Sequence, residues 1–112
     1  MEKISVRESL ALHLLRQILV KHKIPINYYS LGSYSDDAFC VEKIDGNWIC
    51  YIGSRGCRCN IQKFSSVKWA CVCVIDSVSE SYELEAVLLK KFLKEFDLSI
   101  HFKHIKLKKK SN

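Results

Sequence analysis

The amino-acid sequence predicts an α+β fold, in which an N-terminal helix and one or two C-terminal helices pack on one face of a small antiparallel sheet. Two observations predict it. Apolar residues recur at helical spacing towards both ends of the 112-residue chain, whereas about residues 27–63 alternate and are interrupted by turn residues. One face of the predicted sheet is strongly apolar, which is typical of a three- to four-stranded antiparallel meander covered by helices on that side.

The first predicted element is a helix that begins after Ser5. Ser5 and Glu8 have the spacing of a capping box, in which the serine oxygen accepts the N–H of residue 8 and the glutamate reaches back to the N–H of Ser5. Pro25 ends this segment, because the residue before a proline avoids helical dihedral angles. The apolar stripe of the helix comprises Val6, Leu10, Leu14 and Ile18 at four-residue spacing, with Leu15 and Leu19 beside them.

Asp45-Gly46 is the clearest local signal in the sequence. These two residues separate the β-prone segments 38–44 and 47–53, and a two-residue loop of this type predicts a β-hairpin. A further strand is predicted at about residues 57–63, after a second turn. The sheet would then be a meander of consecutive strands.

The six cysteines of the chain are expected to be reduced. The predicted hairpin register places Cys40 and Cys50 on opposite faces, which excludes a disulfide or a shared metal between them within the hairpin. Two further pairs have C-x-C spacing, which is shorter than structural zinc sites use. We therefore expect no metal and no cofactor. These two pairs are Cys57 with Cys59 and Cys71 with Cys73.

The C-terminal part is less uniform. Residues 64–78 contain an apolar run whose periodicity fits a buried strand or a buried helix. Residues 82–96 are an amphipathic helix capped by Ser81, and residues 99–110 alternate weakly, which indicates an edge strand or an arm. If the apolar run is helical, its buried stripe comprises Val67, Ala70, Cys71, Val74 and Val78.

The formal net charge is +6, and the basic tail of about residues 103–112 holds five lysines and no acid. Such a tail can bind a phosphate backbone, so a small basic nucleic-acid-binding module is an alternative function.

No Gly-rich phosphate loop or catalytic spacing is present, and we expect no enzymatic activity. No signal peptide or membrane span is predicted, so residues 1–112 are expected to form a single cytoplasmic domain.

Residues 29–71 contain a series of turn and core motifs. In order these are Tyr29-Ser30-Leu31, Asp37-Ala38-Phe39-Cys40, Gly46-Asn47-Trp48, Tyr51, Arg55-Gly56, Phe64-Ser65-Ser66 and Ala70-Cys71. The series resembles a family of small bacterial immunity proteins of polymorphic and contact-dependent toxin systems. Ser54 stands where that family has a glutamate before Arg-Gly. The resemblance also favours a helix for residues 66–78.

The resemblance implies a non-enzymatic cytoplasmic inhibitor that binds a cognate toxin C-terminal domain. Binding would cover roughly 800 Å² of this chain, and a basic tail would steer an acidic partner. Whether the chain is a monomer or a homodimer stays open, and a metal- or thiol-dependent protein is a less favoured alternative. The candidate toxin-binding residues are Tyr29, Tyr34, Asp36, Asp37, Arg55 and Arg58, and the candidate steering residues are Lys103, Lys106, Lys108, Lys109 and Lys110.

Overall fold

The computed structural model describes the backbone of residues 2–110 and the side chains of residues 2–98. Within these residues an N-terminal helix, a four-stranded sheet and two C-terminal helices form the predicted α+β fold. The elements are α1 (Val6–Lys21), a short 3-10 helix (Ile26–Tyr28), β1 (Tyr29–Leu31), β2 (Phe39–Ile44), β3 (Asn47–Ser54), β4 (Cys57–Phe64), α2 (Val67–Val78) and α3 (Tyr82–Lys110).

The strands lie in the order β1-β2-β3-β4, which is also their order along the chain. β2, β3 and β4 pair antiparallel as predicted, but β1 is parallel to β2, so the expectation of a purely antiparallel sheet is wrong. The reason is the loop of residues 32–38, which returns the chain to the start of β2 instead of reversing its direction. We call the sheet face that packs on the helices the inner face and the opposite one the outer face.

The hairpin register predicted from Asp45-Gly46 is confirmed. Asp45 and Gly46 have φ angles of 52° and 81°, as the right-handed twist of a two-residue hairpin requires. Val41 pairs with Cys50, and Cys40 packs on the outer face while Cys50 packs on the inner one. The alternation read from the sequence therefore assigns each hairpin side chain to its correct face.

The apolar run of residues 64–78 forms the helix α2 and not a strand. All five residues of its predicted stripe are buried against the inner face of the sheet and the other helices. The cap predicted for the next helix is also present, since Ser81 Oγ accepts the Leu84 N–H at 3.1 Å. The edge strand or arm predicted for residues 99–110 is wrong, because α3 continues to Lys110. That segment has no glycine or proline, and its five lysines favour a helix.

Glu8 joins the start of α1 to the β2–β3 hairpin. The predicted capping box is present, with Ser5 N–H donating to Glu8 Oε1 at 2.8 Å and Glu8 N–H donating to Ser5 Oγ at 3.1 Å. The same carboxylate accepts Trp48 Nε1–H at 2.5 Å and Lys43 Nζ–H at 3.2 Å. Burial alone would raise the pKa of Glu8, but the hydrogen bonds that it accepts lower this pKa from 4.5 to about 2.

We expect the substitution Glu8→Gln to lower the free energy of unfolding at neutral pH by about 2 kcal/mol, because an ionised acceptor is lost from three hydrogen bonds. Since the folded pKa is lowered, the stabilisation is complete above the ordinary pKa of 4.5 and decreases as the pH falls towards 2. Urea unfolding at neutral pH and at about pH 3 measures both effects. The wild type should lose more stability on acidification than Glu8→Gln does.

The matched control for this test is Glu83→Gln, which removes an exposed carboxylate from the first turn of α3. It should change stability by only a few tenths of a kcal/mol. Equal losses on acidification in the wild type and in Glu8→Gln would contradict the assignment of the pKa shift to Glu8.

Candidate functional site

The outer face of the sheet carries a second, smaller apolar cluster. Cys40, Ile49 and Tyr51 are buried there together with Ala38, and Tyr34 of the loop of residues 32–38 packs against them. The loop backbone is bonded to the sheet, since the Cys40 thiol of β2 donates to the Ser35 carbonyl at 3.3 Å. The outer face therefore has its own buried apolar cluster, and polar side chains surround that cluster.

Glu42 on β2 connects one side chain from β3 and one from β4. Its Oε1 accepts the Tyr51 hydroxyl at 2.5 Å and Arg58 Nε–H at 2.8 Å. Burial and this carboxylate raise the pKa of Tyr51, so its hydroxyl stays a donor at neutral pH. The side chain of Glu42 is 15% exposed and that of Arg58 is 40% exposed. Arg58 is therefore the member of this trio that a partner can reach.

Two tyrosine rings support the Arg58 guanidinium. The Tyr34 and Tyr51 rings are stacked at 19°, with centroids 6.1 Å apart. The guanidinium carbon of Arg58 lies 5.6 Å from the first centroid and 5.4 Å from the second, within the range of cation–π attraction. The contact with Glu42 uses one of the five N–H donors of a guanidinium. The guanidinium is thereby fixed in orientation while part of the side chain stays exposed.

Asp36 ties the loop of residues 32–38 to the β3–β4 turn. Its Oδ1 accepts the Gly56 N–H at 3.0 Å and also the Tyr34 hydroxyl. The hydrogen bond with Asp36 raises the pKa of Tyr34 to about 12, and the same bond lowers the pKa of Asp36. We call Tyr34, Asp36, Glu42, Tyr51 and Arg58 the outer-face cluster.

The structure brings together three of the six residues predicted to bind a toxin, namely Tyr34, Asp36 and Arg58. Asp37 and Arg55 lie exposed beside them in the loop and in the β3–β4 turn. The candidate steering lysines Lys103, Lys106, Lys108, Lys109 and Lys110 have side chains outside the described residues.

The exposure predicted for Tyr29 is wrong, because this side chain is only 5% exposed. The parallel register of β1 places Tyr29 beside Phe39, and its ring packs in the core of the inner face. Tyr29 therefore presents no surface to a partner.

Sequence reasoning missed Glu42 and Tyr51 as site residues. The hairpin register had already placed both on the outer face. Their contacts with Arg58 reach from β2 to β4, and Arg58 itself pairs with Gly53 rather than with Tyr51. The sequence signal for these two residues was a polar pair on one sheet face next to an arginine on the following strand.

We expect Tyr29→Phe to leave stability unchanged or to raise it by up to about 1 kcal/mol. Within residues 2–98 the buried Tyr29 hydroxyl has no hydrogen-bond partner, so its removal loses no bond. The matched control is Tyr51→Phe, which loses the bond to Glu42 and should cost about 1–2 kcal/mol. Urea unfolding at neutral pH compares the two variants, and a loss above about 1 kcal/mol for Tyr29→Phe would contradict this assignment.

All six cysteines are free thiols in this structure. The neighbouring Cys50 thiol on β3 lowers the pKa of Cys73 on α2. Among the described side chains, His, Cys, Asp and Glu form no group of three or more that could hold a metal ion. In the described part of the chain, every helix is too short or too polar to cross a membrane.

Comparison with protein-family models, curated proteins and solved structures gives no match.

Proposed function

We propose that this chain is a non-enzymatic immunity protein, which binds a cognate bacterial toxin domain in the cytoplasm and neutralises it. The observation that carries the proposal is the outer-face cluster, in which an accessible arginine is held by a carboxylate and by two tyrosine rings. The resemblance of residues 29–71 to immunity proteins supports the same function.

The outer-face cluster has the properties of an interface anchor. Tyrosine and arginine dominate the binding energy of many protein interfaces. A side chain that is already held in one conformation loses less entropy when a partner binds. Arg58 is held by Glu42 Oε1 and by the rings of Tyr34 and Tyr51, and it is still 40% exposed.

The charge next to the cluster indicates the chemistry of the partner. Residues 55–64 contain Arg55, Arg58 and Lys63, all exposed, and no acidic residue. Complementary charges accelerate association and suppress incorrect partners. We therefore infer that the toxin domain presents an acidic surface to β4 and to the β3–β4 turn.

A nucleic-acid-binding module receives less support from this geometry. Base stacking needs accessible aromatic faces, whereas Tyr51 is only 2% exposed and Arg58 already lies over both tyrosine rings. Gel-shift titration with single-stranded RNA and DNA at two salt concentrations tests this alternative. Tight binding that weakens steeply with salt would favour it over the immunity function.

The proposal is tested by expressing the chain together with the toxin domain encoded immediately upstream of its gene. Restored growth and a one-to-one complex in size-exclusion chromatography with light scattering are the expected results. Absence of both, with a toxin domain shown to arrest growth, would contradict the proposal.

A further inference from the structure

A cleft of about 650 Å³ lies between α1 and the edge of β2. It exists because β1 is short and pairs only with residues 39–41 of the six-residue strand β2. The chain then turns away at Gly32, whose N–H donates to the Val41 carbonyl at 2.7 Å and whose φ is 104°. Among residues 2–110, the second half of β2 consequently has no neighbouring strand on this side.

Lys43 is the residue of β2 that offers backbone hydrogen-bonding groups to the cleft. Backbone groups of alternate residues in a strand point to the same side, and the Val41 carbonyl points towards β1. The N–H and C=O of Lys43 therefore point to the same edge, beyond the last residue of β1. The Lys43 ammonium is bound to Glu8 at 3.2 Å.

The two ends of the cleft carry opposite charges. Arg16 lies at the end beside β1, where its guanidinium approaches the Leu31 carbonyl at 3.5 Å. Asp45 and Glu2 lie at the other end, beside the hairpin turn, where the Glu2 carboxylate accepts the Gly46 N–H at 3.0 Å. An occupant that carries an acid at the first end and a base at the second complements both.

We propose that this cleft binds an extended segment of the partner protein as an additional strand beside β2. An acidic side chain of the segment would lie next to Arg16, and a basic side chain would lie next to Asp45. Main-chain hydrogen bonds to Lys43 supply affinity, and the two charged ends determine the orientation. The inference rests on the proposed function only in that the segment belongs to the toxin domain.

The test uses a random-peptide phage library selected on the full-length chain. The enriched peptide is synthesised, and fluorescence polarisation measures its affinity for the wild type, Lys43→Pro and Lys43→Ala. Proline removes the N–H that faces the cleft and is tolerated at a strand edge. Alanine retains the N–H and removes only the ammonium that binds Glu8, so it is the matched control.

We expect Lys43→Pro to bind the peptide about 10-fold more weakly, as the loss of one main-chain hydrogen bond predicts, and Lys43→Ala to remain within about threefold of the wild type. If thermal unfolding shows that Lys43→Pro does not fold, the test is hydrogen exchange of the Lys43 amide in the wild type, measured with and without the peptide. Peptide binding should then slow that exchange about 10-fold or more.

Three outcomes would overturn the inference: no peptide is enriched, Lys43→Pro and Lys43→Ala bind equally, or exchange at Lys43 is unchanged by the peptide. None of these experiments involves the toxin domain. Peptide binding at the cleft without growth rescue would reject the immunity function and retain the cleft. Growth rescue without peptide binding would retain the immunity function and reject the cleft.

Discussion

Arg58→Glu is expected to weaken the complex with the toxin domain about 100-fold, the scale of a central interface anchor, and to abolish growth protection. The substitution reverses the accessible charge of the outer-face cluster. It also places a carboxylate beside Glu42, where Arg58 Nε–H donates at 2.8 Å in the wild type. Isothermal titration calorimetry with the purified toxin domain measures the affinity.

Two further variants separate the chemistry of Arg58 from its charge. Lys90→Glu makes the same charge change at an exposed position of α3, in the helical layer, and should retain full affinity. Arg58→Lys keeps the charge but loses the planar group that lies over Tyr34 and Tyr51, so about a 10-fold loss is expected. Equal affinities for Arg58→Glu and Lys90→Glu would show that the toxin domain does not bind the outer face.

Gly53→Ala is expected to lower the free energy of unfolding by about 3 kcal/mol, the upper range for an overpacked core position. A Cβ at residue 53 would lie 2.0 Å from the Ser35 carbonyl oxygen and 3.3 Å from the Tyr34 ring. The first contact is with backbone, which has no rotamer to change, so the loop of residues 32–38 must move away from β3. Urea unfolding measures the loss of stability.

The same substitution should weaken toxin binding, because the loop that moves carries Tyr34 and Asp36. Gly56→Ala provides the control: its φ of 79° disfavours alanine, but a Cβ there meets no atom within 4 Å. It should therefore show only a conformational cost of about 1 kcal/mol. If both substitutions cost the same, the close approach of the loop to Gly53 is not the cause of the loss.

Local signals in the sequence were enough to predict the elements whose geometry is decided within a few residues. The Ser5–Glu8 capping box and the Asp45-Gly46 turn are of this kind. Because a two-residue turn determines its own register, the pairing of Val41 with Cys50 and the separate faces of Cys40 and Cys50 followed directly.

Features that depend on distant contacts were not predictable in this way. The parallel direction of β1 results from the packing of residues 32–38 over Gly53, which no local pattern encodes. The burial of Tyr29 follows from that direction. The apolar run of residues 64–78 has no period that excludes a strand, and its helical form is selected by packing on the inner face.

The residues of the candidate site could be predicted only in part. Tyr34, Asp36 and Arg58 were predicted because turn and edge residues are exposed. Glu42 and Tyr51 were missed because their contacts with Arg58 span three strands, and Arg58 pairs with Gly53 rather than with Tyr51.

The agreement between strand order and chain order has a consequence for synthesis on the ribosome. β2, β3 and β4 are joined by two-residue turns, so they can pair on a nascent chain as soon as β4 emerges. At that moment the apolar inner face, including Val41, Trp48 and Cys50, is still uncovered by α2 and α3. The interval before α2 emerges is when the chain is most exposed to aggregation and to chaperones.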